Sequence, residues 1–137
     1  MLTDEALRLV KMPNLDGLEE LARQTVGETE TSLFYEEVFT ALDRRIKLPP
    51  RVALAWGERF IAWAWGFPER DGLPFFGTTS WARRLMERAE AAGQRDLALA
   101  AVDAMLASHV PSERERPWWQ KQRHRLAASS KARRVPR

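Results

Sequence analysis

The chain has 137 residues, enough for one domain with a real core and too few for two ordinary ones. It is 45% hydrophobic with six Trp and six Phe, too apolar for general disorder, and the absence of cysteine excludes a disulfide scaffold, a thiolate zinc site and a cysteine nucleophile. The net charge of +3 conceals a separation: residues 1–43 carry ten acids against three bases, and residues 112–137 carry nine bases against two acids.

Thr3, placed to cap a helix, and the apolar Ala6, Leu7, Leu9 and Val10 predict a short helix over Leu2 to Met12, stopped by Pro13. Leu15, Leu18, Leu21 and Ala22 repeat at helical spacing and predict a second, with Gly27 just past Val26 where a C-terminal cap would stand. From Thr29 onward Phe34, Val38, Leu42 and Ile46 share one stripe, widened by Leu33, Tyr35 and Phe39. This predicts a third, amphipathic helix that ends before Pro49-Pro50.

Pro50 suits the first turn of a fourth helix, where its missing N–H would be unpaired in any case. Val52, Trp56, Phe60, Trp63 and Phe67 fall on one stripe, and Leu54, Ile61 and Trp65 on another. A helix apolar nearly all round belongs at the centre of a core. Glu58 and Arg59 interrupt it, and Val52 to Phe67 is shorter than the roughly 20 residues that cross a bilayer.

Residues 66–80 hold three Gly and two Pro and read as a long loop, with Phe75 and Phe76 tucked onto the core. Residues 81–108 read as a helical hairpin turning at Gly93, with Ala89, Ala98 and Ala101 on the inner faces. Gly93 at the turn and Pro111 after the second helix resemble one unit of the tetratricopeptide repeat. Such repeats need about three units, and no second copy recurs here at a fixed period, so the segment is taken as a hairpin within one domain.

Ser112 and Glu115 have capping-box spacing, and Pro117 suits a first turn, which predicts a helix from Trp118 to about Ala128 and then a tail, SSKARRVPR. No segment alternates apolar and polar residues. The expected fold is therefore all-α: a compact bundle of six or seven helices around the Pro50–Phe67 helix over residues 1–111, followed by a basic helix and tail over 112–137.

The local signatures of hydrolases, zinc proteases and nucleotide-binding loops are missing. The two histidines, His109 and His124, have no carboxylate or second histidine at ligand spacing, and His109 reads as a helix C-terminal residue favoured by the dipole. Glu58 would become a raised-pKa acid or base if the aromatic helix buried it, and otherwise marks, with Arg59, the exposed strip of that helix. Glu36, Glu37 and Asp43 read as a solvated helix face rather than metal ligands. No metal or cofactor site is predicted, and an enzyme centred on Glu58 or His109 ranks below a binding role.

The positive signal is the C-terminal segment. Arg114, Arg116, Lys121, Arg123 and Arg125 surround the adjacent Trp118 and Trp119, and Lys131, Arg133 and Arg134 follow. Cations neutralise phosphates and indoles stack on exposed bases, a pairing that suits RNA or single-stranded DNA. The competing expectations are that the Trp pair anchors the last helix to the core, and that the bases meet an acidic protein surface, such as the front of another copy in a homo-oligomer, or an anionic membrane surface. The N-terminus carries acids early and lacks a basic start with an apolar run, which predicts a cytoplasmic protein. The function expected from these features is that of a small, non-enzymatic accessory subunit binding nucleic-acid backbone within a larger assembly, with a protein-interaction module as the alternative.

Overall fold

A computed structural model describes residues 2–45, 47–65, 79–108 and 111–134, apart from the side chains of 28, 65, 79 and 129–134. Expectations for Ile46, Phe67, the 66–78 part of the loop with Phe75 and Phe76, and His109 lie outside the described residues, as do those for the side chains of Trp65, Lys131, Arg133 and Arg134. Seven helices are present among the described residues: α1 (Asp4–Lys11), α2 (Leu15–Arg23), α3 (Glu28–Asp43), α4 (Pro50–Trp65), α5 (Thr79–Ala91), α6 (Arg95–Ala107) and α7 (Arg116–Arg134). The fold is all-α, as the sequence predicts.

The first two helices are short because each is bounded by local chemistry. Thr3 Oγ1 accepts from Ala6 N at 3.2 Å and Asn14 Oδ1 from Gly17 N at 2.9 Å, so both N-termini are capped by side chains. Gly27, expected to close α2, instead stands as the N-cap of α3 with φ of 90°. The turn leaving α2 is closed without it. Thr25 Oγ1 donates to Ala22 O at 2.6 Å, and the single proton of the Thr31 hydroxyl is within reach of both Thr25 Oγ1 and Gly27 O, the latter at 3.0 Å.

α4 is the packing centre, in contact with α3, α5 and α6. Trp56 and Phe60 are fully buried on one stripe and Leu54 and Ile61 on the other, while Val52 and Trp63 are half-buried. Tyr35 from α3 stacks on Trp56 at 4.8 Å and on Phe60 at 4.9 Å, and Trp56 Nε1 donates to Tyr35 O at 2.9 Å. Stacking and edge contacts of this kind add to simple area burial. Burial, helped by the nearby Glu19, pushes the Tyr35 phenol up to about 12.

Trp81 brings α5 into the same cluster, 4.5 Å from Phe60 and 5.5 Å from Phe39 between ring centroids. Below it α4 and α5 approach closely at Gly57, where a Cβ would lie 2.6 Å from Leu85 Cδ1. Arg59, on the outer side of α4, donates to Asp16 at 2.9 Å and Glu19 at 2.7 Å and so ties α4 to α2. Its neighbour Glu58 is exposed.

The predicted hairpin is α5 and α6. Gly93 has φ of 77°, Gln94 N donates to Ala89 O at 2.8 Å and Gly93 N to Glu90 O at 3.1 Å, the two bonds of a Schellman turn. Ala89, Ala98 and Ala101 are buried between the two helices. α7 packs against α6, and its Trp119 and Leu126 belong to the same core as α4. Helical backbone continues to Arg134, so the segment expected to leave the fold as a tail after Ala128 extends α7 instead.

Candidate nucleic-acid interface

The start of α7 is fixed by the predicted capping box. Ser112 N donates to Glu115 Oε1 at 3.0 Å and Glu115 N to Ser112 Oγ at 3.2 Å. Successive residues on a helix point about 100° apart, so of two adjacent indoles one faces inward. Trp119 does, at 2% exposure, and stands edge-on to Trp118 with centroids 4.9 Å apart. The expectation of two stacking platforms therefore reduces to one: Trp119 anchors the helix, and Trp118 is the half-exposed ring.

Trp118 lines an open groove of about 830 Å³ between α5 and the start of α7. Four arginines line it: Arg83, Arg84 and Arg88 from α5 and Arg114 from the turn before α7. Glu87 and Glu115 supply the opposing charge. The Arg83 guanidinium lies over the Trp118 ring, 4.8 Å from its centroid, a cation–π geometry that occupies one of the two indole faces. Ser80 at the α5 end and Trp119 at its base complete the lining.

Arg84 and Arg88 sit four residues apart, one above the other on α5, and share a carboxylate from α3. Asp43, only 7% exposed, accepts from Arg88 Nε at 3.1 Å and lies 3.9 Å from Arg84 Nε. Arg84 Nη2 also donates to Thr40 Oγ1 at 2.9 Å. One buried acid thus orients two arginines, and these contacts use only part of the five N–H donors each guanidinium carries.

The remaining predicted bases divide by what already holds them. Arg116 donates to Leu106 O at 2.8 Å and Ser108 O at 2.7 Å, satisfying orphan carbonyls at the end of α6. Arg123 pairs with Asp103 at 2.7 Å. Arg125 grips Glu90 with two parallel bonds at 2.5 and 2.9 Å, and that hydrogen bonding holds the Glu90 carboxyl below its usual range. These three arginines stitch α7 to α6 and α5. Lys121 is exposed on α7, and Arg114 is exposed at the groove.

The sequence reading missed Arg83, Arg84 and Arg88. Their signal is present in WARRLMER, where two arginines at i and i+4 lie opposite the buried Leu85, Met86 and Ala89. Nothing local, however, says that this face meets the start of α7. Glu36 and Glu37 are half-buried on α3, and His124 is exposed on α7. Among the described residues no group of three or more His, Asp or Glu comes together to hold a metal ion, and no helix is long and apolar enough to cross a membrane. Compared with family models, curated proteins and solved structures, the chain matches none.

Proposed function

We propose that the protein is a small helical accessory subunit that holds a single-stranded nucleic-acid backbone, without reading its sequence, in the groove between α5 and α7. The observation that supports this is that Arg83, Arg84, Arg88 and Arg114 line one groove with the half-exposed Trp118. Guanidinium forks match phosphate oxygens in pairs, and an indole face accepts any base that has left its stack. A duplex, whose bases are stacked on each other, uses the first feature and not the second. The exposed Lys121 adds a further positive charge on α7. The role requires no catalytic group, and it fits a cytoplasmic component of a larger assembly.

Binding of a fluorescent mixed-sequence single strand, followed by anisotropy over a range of salt, tests the reading. Each phosphate contact on a single strand contributes about −0.7 to the slope of log K against log salt, so Arg114→Ala lowers the slope by about that amount for every sequence alike. Trp118→Ala costs about 1–3 kcal/mol with the slope unchanged. Arg123→Ala and Arg125→Ala, whose side chains are engaged internally, change the slope less than Arg114→Ala. No binding at low salt, or binding indifferent to Arg114 and Trp118, rejects the proposal.

A further inference from the structure

A second groove, of about 350 Å³, lies where α1, α2 and α3 meet, at the acidic end of the chain. Leu2, Leu21, Leu33 and Phe34 supply its apolar lining, and Glu30 and Glu37 its carboxylates. Leu33 is 48% exposed there. The exposed large hydrophobic residues among those described are Leu7, Met12, Val26 and Leu33, and all four belong to the stretch with ten acids against three bases. Of these only Leu33 lines the groove, where it stands beside Leu2, Leu21 and Phe34 as one apolar strip.

The groove is also preformed. Thr25, which lines it, is fixed by its bonds to Ala22 O and the Thr31 hydroxyl, and Asn14 and Thr3 cap the neighbouring helices. Apolar surface beside carboxylates fits one kind of side chain best: a lysine or arginine, whose methylene stem lies on the leucines while its charged head reaches the acids.

The chain carries such a segment itself: residues 112–137 hold nine bases against two acids, and although Arg116, Arg123 and Arg125 are engaged within the fold, Lys121 is exposed on α7. α7 packs on α6, whereas the groove is built by α1, α2 and α3, so the occupant comes from another molecule. We propose that the groove of α1–α3 receives the basic α7 segment of a second copy, giving a front-to-tail self-association that salt dissolves. Two copies that exchange both surfaces close as a two-fold dimer, and copies that cannot close add further members. The donor surface is the α7 segment that the proposed function also uses, so a bound strand competes with this contact, whereas Glu30 and Leu33 lie on α3 and their variants test the contact without touching the α5–α7 groove.

Sedimentation velocity of the full chain, run over a range of concentrations, tests it. In low salt the average mass rises with concentration, and in high salt it returns to that of one chain. Glu30→Lys with Glu37→Lys turns two attractions into repulsions and weakens association by about tenfold or more, and Leu33→Asp does the same by placing a charge on the apolar lining. Circular dichroism of both variants verifies that they fold, as expected for changes at a surface groove. A single chain at every concentration in low salt overturns the proposal, and so does association that neither variant weakens.

Discussion

Trp56 is the residue on which the core turns. It is fully buried, stacked on Tyr35, edge-on to Phe34 and hydrogen-bonded through its indole N–H to a backbone carbonyl of α3. Trp56→Ala removes the ring and leaves a cavity between α3 and α4, and the expected loss is about 3–5 kcal/mol in a denaturant titration. Trp56→Phe keeps most of the apolar volume and forfeits the N–H bond, at a cost nearer 1 kcal/mol. Equal losses for the two changes would mean that the hydrogen bond, and not the packing, carries the site. Trp118 presents the contrast: with the same side chain, half-exposed beneath Arg83, it packs against the edge of the core and also lines the groove.

At the scale of elements, α7 is where local and tertiary information part company. Its start was legible in the sequence because a capping box is a contact between residues three apart, and the Gly93 turn was legible for the same reason. Which of two adjacent tryptophans faces inward depends on where α6 lies, and no spacing within α7 records that. Gly27 was ambiguous in another way: only a few residues separate α2 from α3, so one glycine could end the first helix or begin the second. The Thr25 hydroxyl took the former role. The integration of α7 predicts how truncations behave. Ending the chain after Pro111 removes Trp119 and Leu126 from the core and the Arg116 cap from α6, and the remainder loses cooperative thermal unfolding. Ending it after Ala128 keeps all three and preserves the transition. A stable, cooperatively unfolding 1–111 fragment would show that the first six helices suffice.

For the whole molecule, one apolar helix joins two electrically opposite parts of the chain. α4 packs on α3 within the acidic part and on α5 and α6, which in turn hold the basic α7. The sequence displayed that polarity plainly, since charge can be counted without knowing the fold. It did not display the convergence of α5 with the start of α7, because the arginines involved are separated by some 30 residues and meet only after both helices have packed. The centre of the molecule was thus readable and the groove between α5 and α7 largely was not.

Asp43 gives that surface a built-in rival. Any phosphate entering the groove competes for Arg84 and Arg88 with a carboxylate that the fold already holds against them. Under the proposed function Asp43 is a placeholder for phosphate on Arg84 and Arg88, and some affinity for a strand is exchanged for stability of the unliganded fold. Asp43→Asn releases the two guanidinium groups: oligonucleotide affinity rises several-fold while the unliganded protein loses about 1–3 kcal/mol, seen as a lower thermal midpoint. If affinity fell together with stability, Asp43 would be aiming the arginines rather than competing for them. Under competition a bound strand stabilises the Asn variant more than the parent protein, since ligand binding adds to folding free energy in proportion to its tightness, and the thermal midpoint becomes a gauge of how full the groove is.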